Sequence, residues 1–169
     1  KSAADQLIIK IAIDLANALT IQGVVGLIGS YTINNPIIPA ASLERVRITG
    51  FGPTSQSFGS SALITASHVG NIFQVISADE LEIDHVNFVG AGCTAIKHNV
   101  ITVGYMSTVK IHDCGFNANL AECLYGNFLL STIYNNSFGY VGTVGASHRH
   151  IYFKGSSSGT GLSNDNIIA

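Results

Sequence analysis

Between Leu81 and Phe138 the chain alternates apolar and polar positions in a pattern that comes back in phase. Leu81-Glu82-Ile83-Asp84-His85-Val86-Asn87-Phe88 lies over Val109-Lys110-Ile111-His112-Asp113-Cys114-Gly115-Phe116 at a constant offset of 28. Ser131-Thr132-Ile133-Tyr134-Asn135-Asn136-Ser137-Phe138 follows at an offset of 22. Each copy alternates, turns a small polar corner and places a Phe. Alternation at period 2 predicts a strand with one buried face. A return every 20 to 30 residues or so, with no amphipathic helix between copies, predicts a parallel β-solenoid. An antiparallel sandwich is the competing reading, but it rarely keeps alternation and turn in phase across copies.

Stacked in this way, Leu81, Ile83 and Phe88 point inward, beside Val109, Ile111 and Phe116, then Ile133 and Phe138. Like residues lie over like, about 4.8 Å apart. On the outside, Glu82 neighbours Lys110 and Asp84 neighbours His112. The corner column reads His85, Asp113, Asn135, and Asn and Asp suit a bend because they tolerate left-handed backbone. The next column reads Val86, Cys114, Asn136. Ala95 to His98 and Glu122 to Tyr125 are expected to be equivalent, with Leu124 lying 28 residues after Ile96.

Upstream, Ala3 to Leu19 is the one good helix candidate. Leu7, Ile8, Ile11, Ile13, Leu15 and Leu19 crowd an apolar stripe near the 3.6 period, and Asp5 serves its N-terminal end. An open solenoid end exposes core and strand edge, so residues 3–19 are assigned as a cap on coils spanning 22–169. Strands are expected at Gly23 to Ile28, Leu43 to Gly52 (core residues Leu43, Val46 and Ile48), Ala62 to Ala66, Ile72 to Ile76 and from His150. Pro36 and Pro39 mark an edge or a stiff turn. Pro53 to Ser60 and Gly155 to Ser163 read as Gly/Ser-rich loops. Lys1 is no initiator Met, and Ile167-Ile168-Ala169 reads as the middle of a strand. The expectation is one domain, 1–169, cut from a longer protein.

These segments resemble the opening of the pectate-lyase-like superfamily of right-handed parallel β-helices. The resemblance is carried by the helix Asp5 through Ala18, Gly29-Ser30-Tyr31-Thr32-Ile33, Pro36-Ile37-Ile38-Pro39, Val46-Arg47-Ile48-Thr49-Gly50-Phe51-Gly52 and Gly70-Asn71-Ile72-Phe73. It covers the first 90 residues or so; beyond them only the repeat pattern carries it. Leu27-Ile28 stands where that family often has a proline. The resemblance implies an all-β fold, a right-handed single-stranded parallel β-helix with a capping α-helix. The version found in phage tailspikes and depolymerases is the nearest. It implies a homotrimer on a virion tail, made in the host cytoplasm, that binds capsule or O-antigen polysaccharide and cleaves it by hydrolysis or elimination. A non-enzymatic adhesion module is the alternative. A secreted pectate-type lyase is the third reading, but it expects calcium on clustered Asp residues, and the sequence has no such cluster.

Composition narrows the partners. Charged residues make up 11% of the 169 and hydrophobic residues 47%, which excludes a disordered segment. Eight Lys and Arg with a net charge of −2 form no basic stripe for nucleic acid. Apolar runs break well before the length of a membrane span. Cys93, Cys114 and Cys123 are odd in number and lack C-x-x-C spacing, so packed free thiols are expected.

Hydrolysis of a glycoside needs two carboxyls. Asp84 and Asp113, one column apart on adjacent rungs, are the best pair, with Glu82 and Glu122 as further candidates. The plainer reading makes Asp113 a bend residue and Asp84 a solvated partner of His112. Elimination needs a base near the uronate α-proton and a cation or neutral donor on the carboxylate; Lys97, His98, Lys110 and His112 are outward candidates. Tyr125, Tyr134 and Tyr152 offer rings for sugar stacking, with His112 beside them. His148 and His150 have the spacing of a ligand pair but no third ligand in sequence, so no metal and no cofactor is assigned.

Overall fold

The computed structural model describes residues 2–51, 62–68, 70–90, 98–117, 120–139, 149–153 and 167–169. Helix α1 is Ser2–Asn17. The strands are β1 (Gly23–Ile33), β2 (Leu43–Glu44), β3 (Val46–Phe51), β4 (Ala62–Ala66), β5 (Gly70–Asp79), β6 (Glu82–Asp84), β7 (Val86–Val89) and β8 (His98–Ser107). They continue as β9 (Lys110–His112), β10 (Gly115–Asn117), β11 (Leu120–Gly126), β12 (Phe128–Leu129), β13 (Thr132–Tyr134), β14 (Ser137–Phe138), β15 (Arg149–Phe153) and β16 (Ile167–Ile168). Among the described residues the protein is mostly β with one helix, and every strand pairing is parallel.

Three stacks of strands carry the chain. The first half of β1 leads one stack through β3, β6, β9, β13 and β16. Its second half, past Gly29 at φ 84°, leads a second stack through β4, β7, β10 and β14. A third stack runs β2, β5, β8, β11, β15. From β6 onward the chain visits first, second and third stack in turn.

The registers read from the repeat hold. Glu82 pairs with Lys110 and Asp84 with His112, then Lys110 with Thr132 and His112 with Tyr134. Phe88, Phe116 and Phe138 pair in one column. Their rings stack at 5.5 Å and 5.2 Å, nearly parallel. Leu81, Ile83, Val109, Ile111, Phe116 and Ile133 are all buried, as are Leu43, Val46 and Ile48. Cys114 and Cys123 are buried free thiols, and burial pushes each thiol up to about 12. Cys93 lies outside the described residues.

Both corners of the first stack are left-handed. His85, Asp113 and Asn135 have φ 54°, 55° and 52° where the chain passes from first to second stack. Arg45, Glu80, Thr108 and Leu130 have φ 54°, 55°, 52° and 50° where it enters the first stack. These seven are all the positive-φ non-glycine residues among the described residues.

Two expectations need correction. Leu124 pairs with Ile101 and Leu120 with His98, not at an offset of 28; a register shift between Leu120 and Glu122 breaks the phase. Between Pro36 and Pro39, read as an edge or a stiff turn, Ile37 makes a single bridge to Phe73, and its side chain is buried. Of the apolar stripe read for α1, only Ile13 faces the body. Ile9, Ile13 and Ala16 are buried there, whereas Leu7, Ile8, Ile11, Leu15 and Leu19 are about half exposed or more.

What docks α1 is a set of polar hooks on the first unpaired edge. Asp5 accepts the Thr32 N–H at 3.0 Å and Asp14 the Ala40 N–H at 2.8 Å. Asn17 accepts the Glu44 N–H at 2.7 Å and donates to the Ser42 carbonyl at 2.8 Å. Gln6 donates to the Pro36 carbonyl. Close fit matters too: a Cβ on Gly23 would meet the Ala16 carbonyl oxygen at 2.2 Å. An exposed strand edge invites foreign pairing, and these bonds occupy it.

Candidate functional site

The outer face of the first stack carries two side-chain columns. Register places Arg47, Glu82, Lys110 and Thr132 in one, and Thr49, Asp84, His112 and Tyr134 in the other. Between them Ile48, Ile83, Ile111 and Ile133 point into the core. Alternation along four short strands therefore concentrates the polar groups on one surface.

Asp84 is the hub of that surface, and it is fully buried. Arg47 Nε donates to it at 2.7 Å, Thr49 Oγ1 at 2.5 Å and His85 Nδ1 contacts it at 2.6 Å. Burial alone would push the carboxyl up. The bonds from Arg47, Thr49 and His85 outweigh it and hold the pKa below the ordinary value. Asp84 is thus no solvated partner of His112: it is buried and paired with Arg47, one tier below. A carboxylate with both oxygens engaged and no exposed surface neither attacks a sugar nor protonates a leaving group.

His112 is nearly as buried and lies between two acids. Its Nδ1 is 2.7 Å from Asp113 and its Nε2 is 3.3 Å from Glu82. A ring protonated at both nitrogens donates to both carboxylates; a neutral ring donates to one. The His112 bond, helped by Asn135, holds the Asp113 carboxyl below its ordinary value against partial burial. Above His112 the ring of Tyr134 stacks at 4.7 Å and 11° from parallel. Tyr134 is 36% exposed, so with one face of the phenol seated on imidazole about a third of the residue meets solvent.

The sequence candidates therefore divide. Glu82, Asp84, His112, Asp113 and Tyr134 come together. Glu122 and Tyr125 sit on β11 in the third stack. Tyr152 pairs with Tyr125 in register, but its side chain lies outside the described residues. The same holds for the side chain of His98, and Lys97 and His148 are outside altogether. Lys110 is exposed beside Glu82. His150 is exposed; its ring lies 5.1 Å from that of Phe138.

Sequence reasoning missed Arg47, which ties Glu82 (3.3 Å) to Asp84. The signal was present: Val46-Arg47-Ile48-Thr49 has the same alternation as Leu81-Glu82-Ile83-Asp84, 35 residues on, with opposite charges in register.

A donor atom from each of Glu82, Asp84 and His112 lies within 4.8 Å of the other two. Such a trio could hold a divalent cation, but the Arg47 guanidinium already supplies the positive charge there. A cation would have to displace it.

Beside Glu82 and Lys110 opens a pocket of about 380 Å³, lined also by Arg45, Glu80 and Thr108 of the left-handed corner. The surface therefore combines a fixed aromatic face, an acid, a free-standing lysine and a hollow at its rim. That combination can seat hydroxyl-bearing rings. The chain matches no family model, no curated protein and no solved structure.

Proposed function

We propose that the chain is part of a right-handed parallel β-helix of the tailspike type, and that its outer first-stack face binds bacterial surface polysaccharide, capsule or O-antigen. The cyclic visiting of three parallel stacks supports the winding. The observation that carries the binding reading is Tyr134 laid flat on His112, itself clamped between Glu82 and Asp113. A ring with its orientation already set loses little entropy when a sugar stacks on it. Glu82 and Lys110 then lie within the same two columns to bond the hydroxyls.

Binding fits this face better than cleavage. Of its three acids, Asp84 is sealed, and Glu82 and Asp113 hold the imidazole. Depolymerisation by this face would therefore run through Glu82 and Asp113 and would have to release His112.

The test is a titration of the protein with a panel of capsular and O-polysaccharides. Wild type binds at least one, and Tyr134→Ala weakens that binding about tenfold, the loss of a stacking contact of about 1.5 kcal/mol. Reducing ends and unsaturated uronate are measured in the same tubes. No binding by wild type, or equal binding by Tyr134→Ala, overturns the reading.

A further inference from the structure

The buried carboxylate of Asp84 holds two side chains that reach the surface. Arg47 uses only Nε on it, at 2.7 Å, and the same nitrogen lies 3.3 Å from Glu82. Neither Nη carries a bond among the described residues, and the side chain is 38% exposed. His85, its side chain 42% exposed, contacts the other Asp84 oxygen through Nδ1 at 2.6 Å. An ionised carboxylate only accepts, so Nδ1 carries the proton and Nε2 of the neutral ring is left as an acceptor. The acids around this hub are engaged: Glu82 by Arg47 and His112, Asp113 by His112 and Asn135. The cations are not. Lys110 and Arg45 are exposed and make no ion pair among the described residues. Against them stands Glu80 on the pocket wall, an exposed acid with no ion pair of its own.

We propose that this face selects an acidic polysaccharide, one whose sugars bear a carboxylate, and that the carboxylate seats on the free Nη fork of Arg47 beside the ring stacked on Tyr134. The inference rests on the polysaccharide reading and names its substrate class. A guanidinium meets a carboxylate with two parallel N–H···O bonds, which a lysine cannot supply. Asp84 fixes the fork in advance: with Nε clamped, the guanidinium is oriented before the ligand arrives, and little entropy is lost on binding. The fork also lies within electrostatic reach of the Tyr134 phenol, so one sugar can use both. Nε2 of His85 then accepts from a hydroxyl, and Lys110, in the column of Arg47, adds attraction that salt screens.

The test takes each polysaccharide of the panel that wild type binds, native and after carbodiimide–borohydride reduction, which turns the carboxylate into a primary alcohol and leaves the ring in place. Titration calorimetry is expected to show the native acidic polymer binding at least about tenfold more tightly than its reduced form. Arg47→Lys keeps a cation for Asp84 but has no fork. It should lose that preference and bind the reduced polymer as wild type does. Lys110→Gln, at an exposed position, should weaken the native polymer at low salt and leave the reduced one unchanged. If Arg47→Lys does not fold, the two polymer forms on wild type decide alone. Equal affinity of wild type for both forms overturns the inference and leaves the binding reading standing. So does binding of neutral polymers only, or a loss with Tyr134→Ala that Arg47→Lys does not share. No polymer bound at all overturns both.

Discussion

Asp84 shows what one buried charge does for the face around it. It is silent to solvent, yet it sets the direction of Arg47, Thr49 and His85. Asp84→Asn keeps the shape and removes the charge. It is expected to cost about 2–3 kcal/mol in urea unfolding, below the ~3–5 for a fully buried pair because Arg47 keeps 38% of its surface in water. The pH dependence has a definite sign. Asp84 and Asp113 both have folded pKa values below the unfolded one. Their stabilisation is complete above about pH 4, the unfolded value, and is lost as pH falls through the lowered folded values. Stability measured against pH below about 4 should fall more gently in Asp84→Asn than in wild type. The same residue explains why its role was not legible. Alternation marks the outward side of a strand, but not whether neighbours one tier away will close over it. At the core, Cys114 and Cys123 are expected to resist a thiol reagent in the native state and to react once the chain unfolds, since burial keeps the thiolate unpopulated.

At the scale of elements, the strands from Leu81 to Phe138 were readable because side-chain alternation and corner residues repeat together. His85, Asp113 and Asn135 announced the second corner because Asn and Asp tolerate positive φ. The first corner gave no such signal, since Arg45, Glu80, Thr108 and Leu130 share no chemistry, only φ near 50°. Backbone position there is imposed by the pairing on either side. That imposition carries strain of about 1–2 kcal/mol for an L-residue. Leu130 is half exposed and makes the sharpest case. Leu130→Asn should raise the melting temperature by about 2–4 °C, read by circular dichroism, because little burial is lost and the left-handed bend is eased. The helix was found but turned the wrong way. Its stripe is apolar on both sides, and only the hooks Asp5, Asp14 and Asn17 decide which side docks. Periodicity cannot weigh those bonds, because their partners lie 25 to 27 residues away.

For the whole molecule, stability is passed from tier to tier through columns such as Phe88–Phe116–Phe138. Each tier touches chiefly the one before and the one after, so the cost of a defect depends on its place in the column. Phe116 is fully buried with a ring on either side at 5.5 Å and 5.2 Å. Phe138 ends the ladder of phenylalanines and is partly buried, with His150 tilted over it at 5.1 Å. Phe116→Ala therefore opens a hole bounded on both faces and is expected to cost about 3–5 kcal/mol. Phe138→Ala removes one stacked face only and should cost no more than about half of that. Hydrogen exchange would locate the damage. With Phe116→Ala the amides of β7, β9 and β10 lose protection together, because the rings hold adjacent tiers in register. With Phe138→Ala the loss stays in β13 and β14. Equal costs for the two substitutions, or protection lost uniformly along the chain, would mean that the tiers fold as one indivisible core and that the column is not the path by which order propagates.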